Sequence, residues 1–350
     1  MTLSAFRWLI VPARVCRWIL VPLWFATCSA AAIAQSDRVY TLDGDSVSGA
    51  VINIARDGVQ LKRGSNTQAI LAGDISKIMF EGDPSELTTA REFVIDGQFE
   101  QASEELKKMD FGSIKRPEVQ ADAAYYIALA RGKLALAGRG PRDAAASAVN
   151  QFLRKYSSSY HFFDATELLG DLALAMGKSE DAAKYYGYLG QSRSADLKVR
   201  SVYLAAIAKA RQGQHDAAIA DLEKVIGASA STPTMARLQT LAKAAKAEAM
   251  AAKGEGQAAV KVTDDLIAEL NPTDVDINGK IYNARGAGFT AAGDTMGAIT
   301  AYLHTHLMFS SDPPTHAEAI KQLVGLWESS GRTDRAAEMR SLLKQLYPGY

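Results

Sequence analysis

Two hydrophobic patterns divide the chain. Between residues 37 and 83 the apolar positions come in short β-branched runs: Val39-Tyr-Thr-Leu42, Ser46-Val-Ser-Gly-Ala-Val-Ile-Asn-Ile54, Val59-Gln-Leu-Lys62, Gln68-Ala-Ile-Leu71 and Ile75-Ser-Lys-Ile-Met-Phe80. Asp43-Gly44, Asp57-Gly58 and Gly64-Ser-Asn-Thr67 separate them. Aspartate-glycine pairs supply the positive φ of tight hairpins, so the stretch predicts a meander of five strands. So few residues must curl strongly to bury one face, which predicts a small closed barrel. From Asp83-Pro84-Ser85-Glu86 onward the strand signal vanishes and apolar residues recur at helical spacing. Asp83 reads there as a helix cap and Pro84 as the first helical residue. Pro117, Pro141, Pro233, Pro272, Pro313, Pro314 and Pro348 all fall between the helical runs, where a missing N–H costs nothing.

Within the helical region a glycine followed five residues later by alanine recurs. The pairs are Gly97/Ala102, Gly140/Ala145, Gly177/Ala182, Gly213/Ala218, Gly254/Ala259, Gly293/Ala298 and Gly331/Ala336. Other pairs at that spacing exist, such as Gly190/Ala195 and Gly279/Ala284, so the near-regular interval and the context carry the inference. Each chosen glycine follows a helical pattern and each alanine lies inside the next. In Leu169-Gly170-Asp-Leu-Ala-Leu-Ala-Met-Gly177-Lys-Ser-Glu-Asp-Ala182-Ala-Lys-Tyr-Tyr186, a first helix carries Leu-Gly, a turn glycine follows, and a second helix carries alanine and an aromatic. Arg285-Gly286-Ala-Gly-Phe289, Gly293 and Ala298 through Tyr302 repeat the scheme. Asn271-Pro272 and Tyr347-Pro348 close repeats with proline.

These motifs resemble the tetratricopeptide repeat over residues 84–350. The resemblance implies a mainly α fold, a solenoid of about seven helical hairpins, whose concave groove binds a protein or peptide. Intervals of 36–43 residues exceed the family's usual 34, which implies longer helices or loops. Gln151-Phe-Leu-Arg-Lys-Tyr156 with its serine run looks like the repeats of periplasmic coordinator and outer-membrane assembly proteins. The strand region, in turn, resembles the small SH3-like or Sm-like barrels at the N-termini of many secreted bacterial proteins. Gly49 would bend a strand there, and Ile75 and Ile78 would be core.

Residues 1–34 carry Arg7, Arg14 and Arg17, no acidic residue, the apolar run Trp18–Ala26 and the small-residue ending Ala32-Ile33-Ala34. A basic start, a short apolar core and an A-x-A site describe a secretory signal peptide, with cleavage between Ala34 and Gln35. The chain is then expected in the periplasm, the cell envelope or outside the cell. An uncleaved anchor is the alternative, but the apolar core is short of the ~20 residues a span requires. Both cysteines, Cys16 and Cys28, lie in this segment, so the cleaved chain has no disulfide or thiolate chemistry. Thr27 stands where a lipidation motif wants Gly, Ala or Ser, which argues against a lipid on Cys28. Cleavage leaves 36 Lys+Arg against 39 Asp+Glu, a balance that recruits neither nucleic acid nor anionic lipid.

Tools for catalysis are few. Gly254-Glu-Gly256 mimics the start of a dinucleotide fingerprint but no strand precedes it, so it reads as a turn between helices. His304 and His306 are two apart, on different sides of a helix, and with His316 do not read as a metal site. No catalytic residue, cofactor or metal is expected, and the chain reads as a non-enzymatic scaffold or adaptor. The alternative is a structural subunit of an envelope assembly complex. Eleven aromatics from Tyr125 to Tyr203 crowd one third of the chain and read chiefly as packing between hairpins. The candidate groove residues are Asp164, Glu167 and Asp171 on one helix face, and Arg200, Tyr203 and Arg211 on the next first helix. Lys280 and Asn283 lie further along. Both charge signs on one wall suit an extended peptide, with solvated helix surface as the plainer alternative. The Lys/Asn clamp by which some tetratricopeptide domains hold a terminal carboxylate is not recognisable.

Overall fold

Five strands open the computed structural model, which describes residues 36–270 and 273–350; the proposed signal peptide and the Asn271-Pro272 repeat end lie outside these. β1 (Asp37–Thr41), β2 (Ser46–Ala55), β3 (Gly58–Arg63), β4 (Asn66–Leu71) and β5 (Ile75–Met79) form one antiparallel sheet in the order β4-β3-β2-β1-β5. The first four follow the expected meander. β5 leaves it: after a 3-10 turn at Ala72–Asp74 it pairs with β1, with Ile78 opposite Val39. β4 and β5 are therefore opposite edges and the sheet stays open, which corrects the closed barrel. The reason is that the apolar face needs no closure. Val39, Val59, Leu61 and Ile78 share one core with Leu87, Ala90, Val119 and Ala123 of the first helices. Gly49 sits where β2 passes from β1 to β3, and a Cβ there would meet the Lys62 carbonyl at 2.7 Å. Ile75 and Ile78 are core, as the resemblance implied.

Fourteen helices follow among the described residues, paired as seven hairpins: α1 (Ser85–Ile95) with α2 (Phe99–Lys108), α3 (Pro117–Leu136) with α4 (Arg142–Lys155), and α5 (Phe162–Ala175) with α6 (Ser179–Gly187). Then come α7 (Ala195–Arg211) with α8 (His215–Ile226), α9 (Pro233–Ala252) with α10 (Gly256–Glu269), α11 (Val275–Ala291) with α12 (Thr295–Met308), and α13 (Pro313–Ser329) with α14 (Thr333–Leu346). The extra length of the repeats goes into the first helices, where α3 and α9 reach 20 residues.

The turns explain the glycine period. At Gly177 (φ +74°) the amide N–H donates to Leu174, and that of Lys178 donates back to Ala173. These two bonds satisfy carbonyls that the end of α5 leaves open, and they require a left-handed residue. The same pair of bonds closes all seven hairpins. At the second hairpin, however, the left-handed glycine is Gly138 and not Gly140, because α3 ends two residues earlier than the period suggested. At the fourth position of each second helix, Ala102, Ala145, Ala182, Ala218, Ala259, Ala298 and Ala336 are buried to 1% exposure or less. A larger side chain at these points would hold the paired helices apart. Gly170 and Gly286 serve the same approach, since a Cβ would lie 2.3 Å from the Tyr186 ring and 2.6 Å from that of Tyr302. Gly177→Val places a β-branched residue at positive φ and should cost the third hairpin about 1–2 kcal/mol in urea unfolding. The Cβ meets no neighbour within 4 Å, so the loss is conformational and Gly177→Asn should recover most of it.

α1 begins at Ser85, and its N-terminus carries no side-chain cap. Asp83 is engaged elsewhere, accepting from the Phe80 amide and from Arg91, which corrects its reading as a cap. Successive first helices pack on one another (α1 on α3, α3 on α5, α7 on α9, α9 on α11, α11 on α13), whereas the second helices hardly meet. A stack that is tighter on one side curves toward it. The first helices therefore line the concave side. Residues 36–350 form one compact unit.

Candidate functional site

The concave wall is built from the exposed faces of α5, α7, α9 and α11. Asp164, Glu167 and Asp171, three and four residues apart, share one face of α5. Arg200 on α7 donates to Glu167 at 2.6 Å, so the two helices join through a charge pair. Half of the Arg200 side chain (46%) still meets solvent, against 14% of Glu167. Burial pushes the Glu167 carboxyl up; the Arg200 guanidinium opposes this, and Asp171 and Asp164 add to it. Three carboxylates thus face one guanidinium. The Tyr186 hydroxyl donates to Asp171 at 2.8 Å, and Asp164 lies 3.8 Å from Nδ1 of His161.

Tyr203 marks the middle of the wall. Burial raises its phenol, while Lys280 and Arg200 pull it down and Glu248 and Glu167 push it up. These four charges come from α11, α7, α9 and α5, so the superhelix gathers one helix's neighbours and the next-but-one around a single ring. Arg211 reaches Glu248 of α9 only at 3.9 Å. Lys280 pairs with Asp312 at 3.6 Å, and the Asn283 amide donates to the Thr315 carbonyl at 2.9 Å while its own buried oxygen accepts nothing. The structure thus brings Asp164, Glu167, Asp171, Arg200 and Tyr203 together, with Lys280 joining through Tyr203. Arg211 and Asn283 turn toward the following hairpin. Glu248 was not read from the sequence, although its apolar neighbours on α9 leave it the exposed exception. The shallow depression at Thr273–Asp276 lies at the α10–α11 connection, away from this wall.

A second charged group is internal. Arg91 of α1 is fully buried between Asp83, at 2.6 Å and 3.2 Å, and Asp122 of α3, at 2.9 Å and 2.6 Å. Asp122 also accepts from the Tyr160 hydroxyl at 2.6 Å and faces Nε2 of His161 at 2.8 Å. Arg91 and its bonded partners hold the Asp122 carboxyl down at about 2 against the cost of burial. His161 moves up, because its two carboxylate neighbours outweigh burial. Tyr125 stacks on His161 at 3.6 Å and seals it. Most of the aromatic crowd is likewise core: Tyr125, Tyr126, Phe152, Tyr160, Phe162, Phe163 and Tyr186 are buried, and Tyr188 is exposed. Such a set has the parts of a catalytic dyad but is buried away from solvent, and it joins the sheet to three hairpins.

His304 stacks on Tyr282 while His306 turns to His316, 2.8 Å between ring nitrogens, so the pair two apart does diverge. No group of metal-ligating side chains occurs among the described residues, and no helix there is long and apolar enough to cross a membrane. Gly254 is the turn glycine before α10, with no strand before it.

No protein-family model and no curated relative matches the sequence. The fold is similar to that of a tetratricopeptide repeat protein from Parabacteroides merdae, at 16% identity and a TM-score of 0.50 over 76% of this chain and 92% of that one. It is also similar to a Rap protein in complex with competence and sporulation factor, at 12% identity and a TM-score of 0.55 over 75% and 73%. The chain is a tetratricopeptide-like α-solenoid preceded by an open five-stranded sheet.

Proposed function

We propose that the protein is a non-enzymatic scaffold or adaptor of the periplasm or cell envelope that holds a protein or peptide segment against its concave wall. The observation that carries this is the wall itself. Among the described residues Arg200 is paired with Glu167 alone, so the half-exposed Asp164 and its neighbour Asp171 leave negative charge beside Tyr203 open to a ligand. A bound lysine or arginine side chain supplies the missing charge, and the rigid ring of Tyr203 offers contact area at low entropic cost. That a protein of similar fold is complexed with a separate factor supports the reading. So does the basic, apolar start of the sequence for export.

A photo-crosslinking residue at position 203, carried by the exported chain in its own cells, tests it. One partner segment should be captured there, and Asp164→Asn with Asp171→Asn should reduce capture about tenfold, the loss expected for charge-assisted contacts. Capture only from outward positions such as Lys224 or Arg335 would favour a permanent subunit of an assembly. That second reading has its own observation: Met296, Leu307 and Met308 of the outer helix α12 are 62–71% exposed. The mass of the exported chain should correspond to a start at Gln35.

A further inference from the structure

In a solenoid each hairpin touches only its neighbours. The last hairpin here also touches the second, across 214 residues. After α14 the chain turns through Tyr347, whose hydroxyl is hydrogen-bonded with Nδ1 of His316 at 2.6 Å and which is 6% exposed. The Tyr350 amide then returns to the Tyr347 carbonyl at 3.0 Å. Beyond that turn the Tyr350 hydroxyl donates at 3.2 Å to the Leu136 carbonyl, one of those that the end of α3 leaves open. Arg142 lies over the Tyr350 ring at 4.9 Å and also donates to the Ala175 carbonyl at the end of α5. Between these contacts two glycines meet. A Cβ on Gly349 would lie 3.0 Å from Cα of Gly138, the turn residue of the second hairpin.

We infer that residues 347–350 are a clasp that ties the last hairpin back to the second, so that its release governs access to the concave wall. Two features fit a releasable contact and not a permanent seam. The area is small, one hydroxyl, one cation over a ring and the Gly138 turn against Gly349 and the Tyr347 backbone, and Tyr350 remains 42% exposed. The anchored side, Tyr347 on His316, is buried, so the tip can leave while its root stays. The inference concerns access and does not depend on what the wall binds.

Two variants release the tip by different means. Gly349→Val wedges it from the Gly138 backbone, and Tyr350→Ala removes the hydroxyl and the ring, which meets the core edge-on at Tyr347. In the full chain with Cys16 and Cys28 replaced by serine, single cysteines are placed at Lys280 on the wall and at Arg193 outside. Each is labelled with N-ethylmaleimide and with a maleimide carrying a bulky polymer. With the clasp intact the bulky reagent should be held back at position 280 relative to position 193. Either release variant should raise its rate at 280 about tenfold, the gain expected for a local opening. Amide exchange at residues 136–142 should rise with it, while the α7–α8 turn stays unchanged. Equal rates with and without the clasp would overturn the inference. So would faster exchange through all seven hairpins, which would make the tail a part of the core.

Discussion

Replacing Asp122 with alanine is expected to destabilise the N-terminal half by about 3–5 kcal/mol, the cost of leaving a buried charge without its partner. Arg91 has no access to water, and its remaining partner Asp83 satisfies only one side of the guanidinium. The Tyr160 hydroxyl and Nε2 of His161 would lose their acceptor in the same step. Because the four elements involved run from the end of β5 to the start of α5, unfolding should begin there and leave α9–α14 protected. Arg200→Ala is the contrast. Its guanidinium is half open to water although Glu167 is 14% exposed, and a pair that water still reaches contributes about 0–1 kcal/mol. Urea unfolding of the two variants, with amide exchange to locate the loss, separates charge that holds the fold from charge that is free to bind. If Asp122→Ala cost no more than Arg200→Ala, the buried network would not be what couples the sheet to the hairpins.

The same contrast explains what was legible in the sequence. A turn that needs a left-handed residue and a helix pair that needs a small one leave Gly and Ala at fixed spacing, so the seven hairpins were visible as a period. Gly138 was missed for Gly140 because the period counts residues whereas the turn follows the actual end of α3. The barrel failed for another reason: strand patterning shows that a face is apolar, not what covers it, and α1 and α3 cover it here. Asp122 left a local signal, standing between Val119 and Tyr126 at spacings of three and four on a buried face. Arg91 likewise follows Leu87 by four. A charge on an apolar stripe announces a buried partner but not which one, since Arg91 and Asp122 are 31 residues apart. The wall was partly readable, because the carboxylate spacing on α5 fixes their common face. That Lys280 reaches Tyr203 depends on superhelical curvature, which no local pattern encodes. The clasp is the extreme case, a contact between a Tyr-Pro-Gly-Tyr ending and a turn more than two hundred residues earlier.

Acidification should loosen the last hairpin and spare the network. Nδ1 of His316 bonds the Tyr347 hydroxyl and its Nε2 faces Nδ1 of His306, so the two facing nitrogens share one hydrogen and both imidazoles cannot be charged at once. Burial, with the neighbouring His306 second, pushes His316 down to about 4, and burial lowers His306 against the pull of Glu338. A base whose folded pKa is depressed takes up its proton more readily when unfolded. Stability is therefore full above the ordinary value near 6.5 and falls as the pH drops toward 4. At pH 5 the loss is about 2 kcal/mol, a roughly thirtyfold rise in opening of α13 and α14. His161, raised, contributes fully below 6.5 and loses its contribution only as the pH rises through its folded value. Asp122, held at about 2, keeps its contribution at pH 5 and loses it only as the pH falls from its ordinary value near 3.8 toward 2. Glu167 and Asp83, both pushed up by burial, act in the opposite sense at other hairpins, so the readout has to be local. Amide exchange across residues 313–346 at pH 7 and pH 5, corrected for intrinsic rates, provides it. His316→Gln, which takes up no proton, should flatten the difference. A wild-type profile as flat as the variant's would mean that the histidine chain is not the titrating element. If the loss appears, the root of the clasp shares it, since Tyr347 is held by the same His316 nitrogen.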